Sequence, residues 1–87
     1  IQAAVGDDDS VEAHCRDTFE AGHRAARPEL VRILAEGGPD AIAWLSRLGV
    51  AFSRDGGRLR LLRCGGASRP RLLQAGEVDV VVAGGAE

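Results

Sequence analysis

Residues 28–52 read PELVRILAEGGPDAIAWLSRLGVAF, and this stretch predicts where helix gives way to strand. Pro28 suits the first position of a helix, and apolar side chains then recur at helical spacing. The expected inner face consists of Leu30, Ile33 and Leu34, followed by Ile42, Leu45 and Leu48. Because Gly37 and Gly38 interrupt this pattern, two short helices are expected, the second beginning at the proline that follows. Gly49 suits a helix C-terminal cap, and the apolar residues after it predict a short strand.

Another helix is predicted upstream, beginning near Ser10. Asp9 or Ser10 can cap it, and Glu12 follows Asp9 at the spacing of a capping box. The acidic run at 7–9 suits a helix N-terminus, so we expect a solvated capping turn there. This run lacks the ligand spacing of a calcium loop. Residues 10–48 therefore predict three short helices. The inner stripe of the first contains Val11, Cys15, Phe19 and Gly22.

After the predicted helices, polar and apolar side chains alternate with the two-residue period of a β-strand. Residues 58–61, RLRL, alternate polar and apolar side chains, and the DGG at 55–57 is a turn signal. We therefore expect residues 50–53 and 58–63 to pair as a β-hairpin. The apolar residues 78–83 predict a buried strand near the end of the chain. The expected fold class is α+β, with short helices followed by a small β-hairpin and a terminal strand.

Composition restricts the classes of protein to which the chain can belong. Its 87 residues suffice for one domain, and a net charge of −2 argues against a nucleic-acid partner. No apolar run reaches the length of a membrane span, and residues 1–9 lack the features of a secretory signal. Without an initiator methionine, the chain is expected to be a processed form, a fragment or an excised domain. Cys15 and Cys64 lack CxxC spacing, which favours reduced thiols in a cytosolic protein over zinc, redox or disulfide roles.

The spacing of the chemically active side chains predicts neither a catalytic residue nor a metal site. His14 and His23 do not share one helix face, so each is expected to be a surface or hydrogen-bonded structural residue. Ser53 and Ser68 have no base at a motif spacing. The arginines of the second half predict either a solvated strand face or a contact surface for a partner. They are Arg54, Arg58, Arg60, Arg63, Arg69 and Arg71.

The last ten residues, VDVVVAGGAE, partly match a dinucleotide-binding fingerprint. That fingerprint needs a following helix and an acidic residue about twenty positions further on, and the sequence contains neither. A hydrophobic strand that ends in a glycine turn explains these residues at least as well.

Three segments resemble, in this order, the FAD-dependent flavoprotein family of succinate dehydrogenase, fumarate reductase and L-aspartate oxidase. The first is IQAAVGDDDSVEAH with the DT pair that follows it, the second AIAWLSRLGVAF, and the third LLRCGGASRPR. Family members carry a small-residue segment beside the flavin, an acidic turn and a helix with a DT pair at these places. The resemblance covers residues 1 to about 76.

The resemblance implies FAD as the cofactor. The residues that match the end of the flavin-contacting segment are Ile1, Gln2, Ala3 and Ala4. Small residues suit that place because the backbone must approach a flat ring closely. These four residues are therefore the expected cofactor-binding residues of the chain.

The resemblance also implies a division of the chain. Residues 1–9 correspond to the flavin-proximal segment and acidic turn, and residues 10–76 to part of the substrate-capping domain. Residues 77–87 depart from the family pattern and look instead like a strand and glycine-rich turn of the FAD-binding domain. The loop at 65–71 lacks the histidine that many members have before the serine. Its form is closer to the dehydrogenase and reductase branch, whereas AIAWL and the acidic turn suit L-aspartate oxidase equally well.

The implied function is that of a portion of an FAD-dependent oxidoreductase. The whole enzyme would transfer a hydride between flavin and a dicarboxylate or amino-dicarboxylate, either succinate/fumarate or L-aspartate. The chain alone is expected to be inactive, because the family's proton-delivery residues lie further along. Expected partners are the rest of the flavoprotein or a second subunit, in the cytoplasm or peripheral to the inner membrane. The alternatives are a non-enzymatic docking module that uses the arginine-rich hairpin, and a truncated remnant.

Overall fold

The computed structural model describes residues 1–75. Two helices come first, α1 (Val11–Ala21) and α2 (Pro28–Arg47), followed by two short strands, β1 (Arg54–Asp55) and β2 (Arg58–Leu59). This order confirms the α+β class. The strand expected at 78–83 lies outside the described residues.

The start of α1 follows the local capping signal. The Ser10 side chain accepts a hydrogen bond from the backbone N–H of Ala13, at 3.1 Å, and so caps the helix. Asp9 stands one position earlier and accepts the Ser10 N–H at 2.7 Å. The helix ends at Ala21, and His23 and Arg24 just beyond it adopt left-handed φ angles of 58° and 62°. Of the two predicted caps, Ser10 is therefore the one that the chain uses.

The prediction of a break at Gly37 and Gly38 is wrong, because α2 runs through both glycines and Pro39 as one helix of 20 residues. A proline inside a helix costs about 3 kcal/mol. Val31 and Ile42, on either side of the interruption, are both buried, so both halves of the helix pack against the rest of the fold. Tertiary packing thus outweighs the local preference for a break.

The buried face of α2 agrees with the expected one at Ile42 and differs from it elsewhere in the helix. Val31, Ala35 and Ile42 are buried. More than half of each of the following side chains is exposed: Leu30, Ile33, Leu34 and Leu48. Apolar residues occupy more than one face of this helix, so periodicity alone could not identify the face that packs.

The hairpin is confirmed around the predicted turn, but β1 lies just after the predicted first strand at 50–53, and β2 is shorter than the predicted 58–63. Arg54 pairs with Leu59 and Asp55 with Arg58 in antiparallel register. The two central turn residues, Gly56 and Gly57, have φ angles of 59° and 86°. These positive angles fit the tight two-residue turn that matches strand twist, for which glycine is favoured.

The core lies between α2, the N-terminal segment and residues 71–74. Its buried members are Ala3, Ile42, Phe52 and Leu73. The N-terminal segment is tied to the end of the described chain, since the Leu73 N–H donates to the Ile1 carbonyl at 2.7 Å and the Ala3 N–H to the Arg71 carbonyl at 3.1 Å. Neither helix within residues 1–75 has the length and apolar character needed to cross a membrane.

Candidate functional site

A buried ion-pair cluster holds the start of α1 against residues 68–71. Arg71 donates from Nε to Asp9 Oδ2 at 2.7 Å, from Nη2 to Asp9 Oδ1 at 2.9 Å, and from Nη1 to Asp17 Oδ2 at 2.8 Å. Ser68 also donates to Asp17 Oδ2, from its hydroxyl at 2.6 Å and its backbone N–H at 2.8 Å. The expectation of a solvated acidic turn is therefore wrong for Asp9, whose side chain is 1% exposed.

The charges in this cluster stabilise one another. Burial alone raises the pKa of Asp17, but hydrogen bonds from Ser68 and Arg71 outweigh it and lower that pKa from 3.8 to about 2. The pKa of Asp9 is also lowered, because the Arg71 and Ser10 hydrogen bonds outweigh burial. The carboxylates raise the pKa of Arg71 in return. The cluster is thus fully ionised at neutral pH.

A cleft of about 690 Å³ lies beside this cluster, between the N-terminal segment, α1 and α2. Most of its wall is apolar, and one edge is polar. Its apolar and glycine lining consists of Ile1, Ile33, Leu34, Gly37, Gly38, Ala41, Ile42 and Leu72, and its polar lining of Gln2, His14 and Thr18. A smaller cavity of about 160 Å³ adjoins it and shares the three polar residues.

His14 is the buried residue of α1, with 7% of its surface exposed. The predicted inner stripe does not include it. Each histidine is expected to be either a surface residue or a hydrogen-bonded structural one; His23 is exposed, in agreement with the first, whereas His14 is buried. Among residues 1–75, its Nδ1 is the one buried side-chain nitrogen or oxygen without a hydrogen-bond partner. Burial, and then the nearby Arg71 charge, lower the pKa of His14, which keeps the ring neutral.

The structure separates the four residues matched to the flavin-contacting segment. Ile1 and Gln2 line the cleft. Ala3 is completely buried in the core, where a Cβ added at Gly38 would lie 3.3 Å from the Ala3 Cβ. Ala4 is half-buried and lies away from the described lining of the cleft.

His14 and Thr18 complete the polar edge of the cleft, and residue spacing did not single them out as site residues. They stand four positions apart, which places both on one face of α1. That spacing was available in the sequence. What it could not show is that this face borders a cleft, because the opposite wall is formed by remote residues.

The arginine-rich hairpin makes its ion pairs at the surface. Arg58 Nη1 lies 3.2 Å from Asp7 Oδ2, with both side chains more than 80% exposed, and Arg60 Nε lies 3.8 Å from Asp55 Oδ2. These contacts favour the solvated-face alternative for Arg58 and Arg60 over a dedicated contact surface. Arg71 fits neither alternative, because it is buried in the ion-pair cluster. Within residues 1–75, no three His, Cys, Asp or Glu side chains gather in a way that could hold a metal ion.

Known proteins match nearly the whole chain. A family described as "FAD binding domain" matches residues 1–86. The L-aspartate oxidase of Streptomyces coelicolor is 42% identical over 78 residues, which cover 87% of this chain and 13% of that protein. That of Pseudomonas aeruginosa is 35% identical over 85 residues, covering 88% of this chain and 16% of that protein. The chloroplastic L-aspartate oxidase of Arabidopsis thaliana is 39% identical over 71 residues, covering 80% of this chain and 11% of that protein.

The chain therefore spans at most about a sixth of the length of these relatives. The resemblance drawn from the three sequence segments is confirmed. The chain belongs to the FAD binding domain family, within the FAD-dependent flavoproteins that include succinate dehydrogenase, fumarate reductase and L-aspartate oxidase.

Proposed function

We propose that this chain forms one wall of the flavin site in an FAD-dependent oxidoreductase that acts on L-aspartate or a related dicarboxylate. The observation that carries the proposal is the cleft: an apolar wall with a single polar edge, in a chain of the FAD binding domain family. The relatives' names point to L-aspartate as the substrate.

The cleft suits the ring system of FAD. A flat aromatic ring can lie against the apolar side chains of α2, and its heteroatoms can meet Gln2, His14 and Thr18. The unpaired His14 Nδ1 supports this fit, because a buried polar atom is normally satisfied by a partner. Gln2 and His14 would hold the polar edge of the ring, while Ile1 and Leu34 would exclude water from its face.

The phosphate groups of FAD do not fit the described residues. Phosphates bind where helix N-terminal N–H groups are free. At the start of α1, Ser10 already accepts from Ala13, and the acidic run at 7–9 would repel an anion. The α2 N-terminus has Glu29 in its first turn. We therefore assign the rest of the cofactor site to the remainder of the flavoprotein or to a second subunit.

The charges of a dicarboxylate also require residues from elsewhere. Among the described residues that line the cleft, none has a positively charged side chain. Arg71 is nearby but is already neutralised by Asp9 and Asp17. FAD, when bound, would supply the redox chemistry. This chain would position the ring and keep water away from it, and would be inactive on its own.

The division of the chain stays a prediction, with residues 10–76 in a capping domain and 77–87 in a strand of the FAD-binding domain. The location in the cytoplasm, or at the inner membrane through partner subunits, is likewise a proposal. Both depend on the rest of the flavoprotein.

Flavin reduction in the natural protein that carries this chain tests the proposed function. L-aspartate, succinate and L-asparagine are added separately without oxygen, and the flavin absorbance is followed. Bleaching by L-aspartate or succinate, but not by L-asparagine, is expected because asparagine lacks the second carboxylate. The proposal is ruled out if neither L-aspartate nor succinate bleaches the flavin of the FAD-loaded protein and fumarate does not reoxidise the reduced flavin.

A further inference from the structure

We infer that His14 is a cofactor-binding residue, whose Nδ1 hydrogen-bonds an uncharged polar atom on the edge of the flavin ring. This inference rests on the proposed function and deepens it, because it names the atom of His14 that binds and the kind of ligand atom that it accepts. The family match assigned only Ile1, Gln2, Ala3 and Ala4 to the cofactor. His14 stands on α1, so a second element, besides the N-terminal segment, would contact the ring.

The first step concerns the atom itself. His14 is 93% buried, with a relative exposure of 7%, and it lines both the cleft and the smaller adjoining cavity. Its Nδ1 has no hydrogen-bond partner among residues 1–75. An unpaired buried polar atom is costly and is retained where something outside the described chain satisfies it.

The second step excludes the nearest charged groups as that partner. Both Asp9 oxygens accept from Arg71, and Asp9 Oδ1 also accepts the Ser10 N–H. Asp17 Oδ2 accepts from Ser68 and Arg71. These are charge-assisted bonds, which a neutral imidazole does not displace. The open side of His14 therefore faces the cleft and the smaller cavity that adjoins it.

The third step concerns the chemistry of the ligand. A carboxylate at Nδ1 would approach the buried charges of Asp9 and Asp17, and the nearby cation, Arg71, is already shared between them. Like charges brought this close are unfavourable. A neutral imidazole matches a carbonyl oxygen or a ring nitrogen, both of which a flavin edge offers. The position therefore selects the ring of the cofactor over the acidic substrate.

FAD affinity in the natural protein tests this inference. FAD is removed and titrated back, and its dissociation constant is measured from flavin fluorescence. His14→Phe removes the polar atom but keeps a ring, and should weaken FAD binding about five- to tenfold, which corresponds to one neutral hydrogen bond. His14→Asn, which keeps a polar atom near Nδ1, should bind more tightly than His14→Phe. The matched control is His23→Asn at the exposed histidine, which should bind as the wild type does.

The folded state without FAD separates binding from packing. His14→Phe should melt at or above the wild-type temperature, because it removes an unpaired polar atom. If that variant does not fold, His14→Leu replaces it in the same comparison. The inference is overturned if His14→Phe, or His14→Leu in its place, binds FAD as tightly as the wild type does. It is also overturned if His14→Asn loses as much FAD affinity as that variant. A wild-type protein that binds no FAD overturns the proposed function as well.

Discussion

Arg71 and Asp9 lie 62 positions apart in the sequence, and their side chains form a two-bonded ion pair in which each is only 1% exposed. The planar guanidinium matches the carboxylate, so both oxygens are bonded at once. The pair fixes the turn before α1 against the segment that carries Leu72 and Leu73. Since Leu72 lines the cleft and Leu73 lies in the core, this contact sets the position of one cleft wall.

Removal of this cation should strongly destabilise the fold. Arg71→Met leaves Asp9 and Asp17 buried without a counter-charge, and we expect a loss of about 3–5 kcal/mol in the free energy of unfolding. The measurement is urea denaturation. Arg58→Met is the matched control, because its exposed pair with Asp7 should contribute less than about 1 kcal/mol. Similar losses in the two variants would show that the buried cluster is not a principal contact.

Acid should weaken the fold through the same cluster. The folded-state pKa of Asp17 is about 2 against an ordinary value of 3.8, and that of Asp9 is also lowered. Their contribution to the free energy of unfolding is therefore present above about pH 5 and is lost as the pH falls from about 4 towards 2. Asp17 alone accounts for about 2 kcal/mol of it. The pKa of His14 is lowered in the folded state, so a further loss of unfolding free energy begins as the pH falls through 6.5, where the unfolded chain takes up the proton.

Ser68→Ala provides the control for the acid transition. Without the hydroxyl that donates to Asp17, the pKa of that carboxyl should rise and the lower part of the stability curve should shift to higher pH. Unfolding free energies measured from pH 7 to pH 2 give both curves. If the curves are parallel across that range, the Ser68 hydroxyl does not contribute to the ionisation of Asp17.

The two glycines inside α2 should respond differently to substitution. A Cβ at Gly37 meets nothing within 4 Å among the described residues, so Gly37→Ala should stabilise the helix by up to about 1 kcal/mol. A Cβ at Gly38 would lie 3.3 Å from the Ala3 Cβ, so Gly38→Val should cost about 1–3 kcal/mol through overpacking. Thermal unfolding compares them. Equal tolerance at both positions would contradict the close packing of α2 on the N-terminal segment.

The exposed apolar side chains of α2 should make the isolated 87-residue chain self-associate. Leu30 and Trp44 are each more than half exposed, and large exposed apolar patches mark contact surfaces. Leu30→Lys with Trp44→Lys should reduce association while changing the unfolding free energy by less than about 0.5 kcal/mol per site. Val31→Lys, at a buried neighbour, should unfold the chain. Sedimentation velocity over a range of concentrations measures association, and a strictly monomeric parent chain would contradict this expectation.

The features that local signals encode could be predicted from the sequence. The Ser10 cap depends on its own neighbours, and the turn at Gly56 and Gly57 depends on two residues that tolerate positive φ. The buried face of α2 could not be predicted, because Ala35 and Leu34 are both apolar and only remote packing distinguishes them. The His14 edge of the cleft was missed for the same reason, since its opposite wall comes from other parts of the chain.

The central claim is that FAD lies in the cleft between the N-terminal segment and the two helices. Hydrogen–deuterium exchange of the natural protein, with and without FAD, tests it most directly. We predict slower exchange on FAD binding in the segment that carries Ile1 and Gln2 and at residues 14–18, with little change in the hairpin at 54–59, which lies away from the described cleft lining. Tight FAD binding that leaves both cleft segments unchanged would contradict the claim.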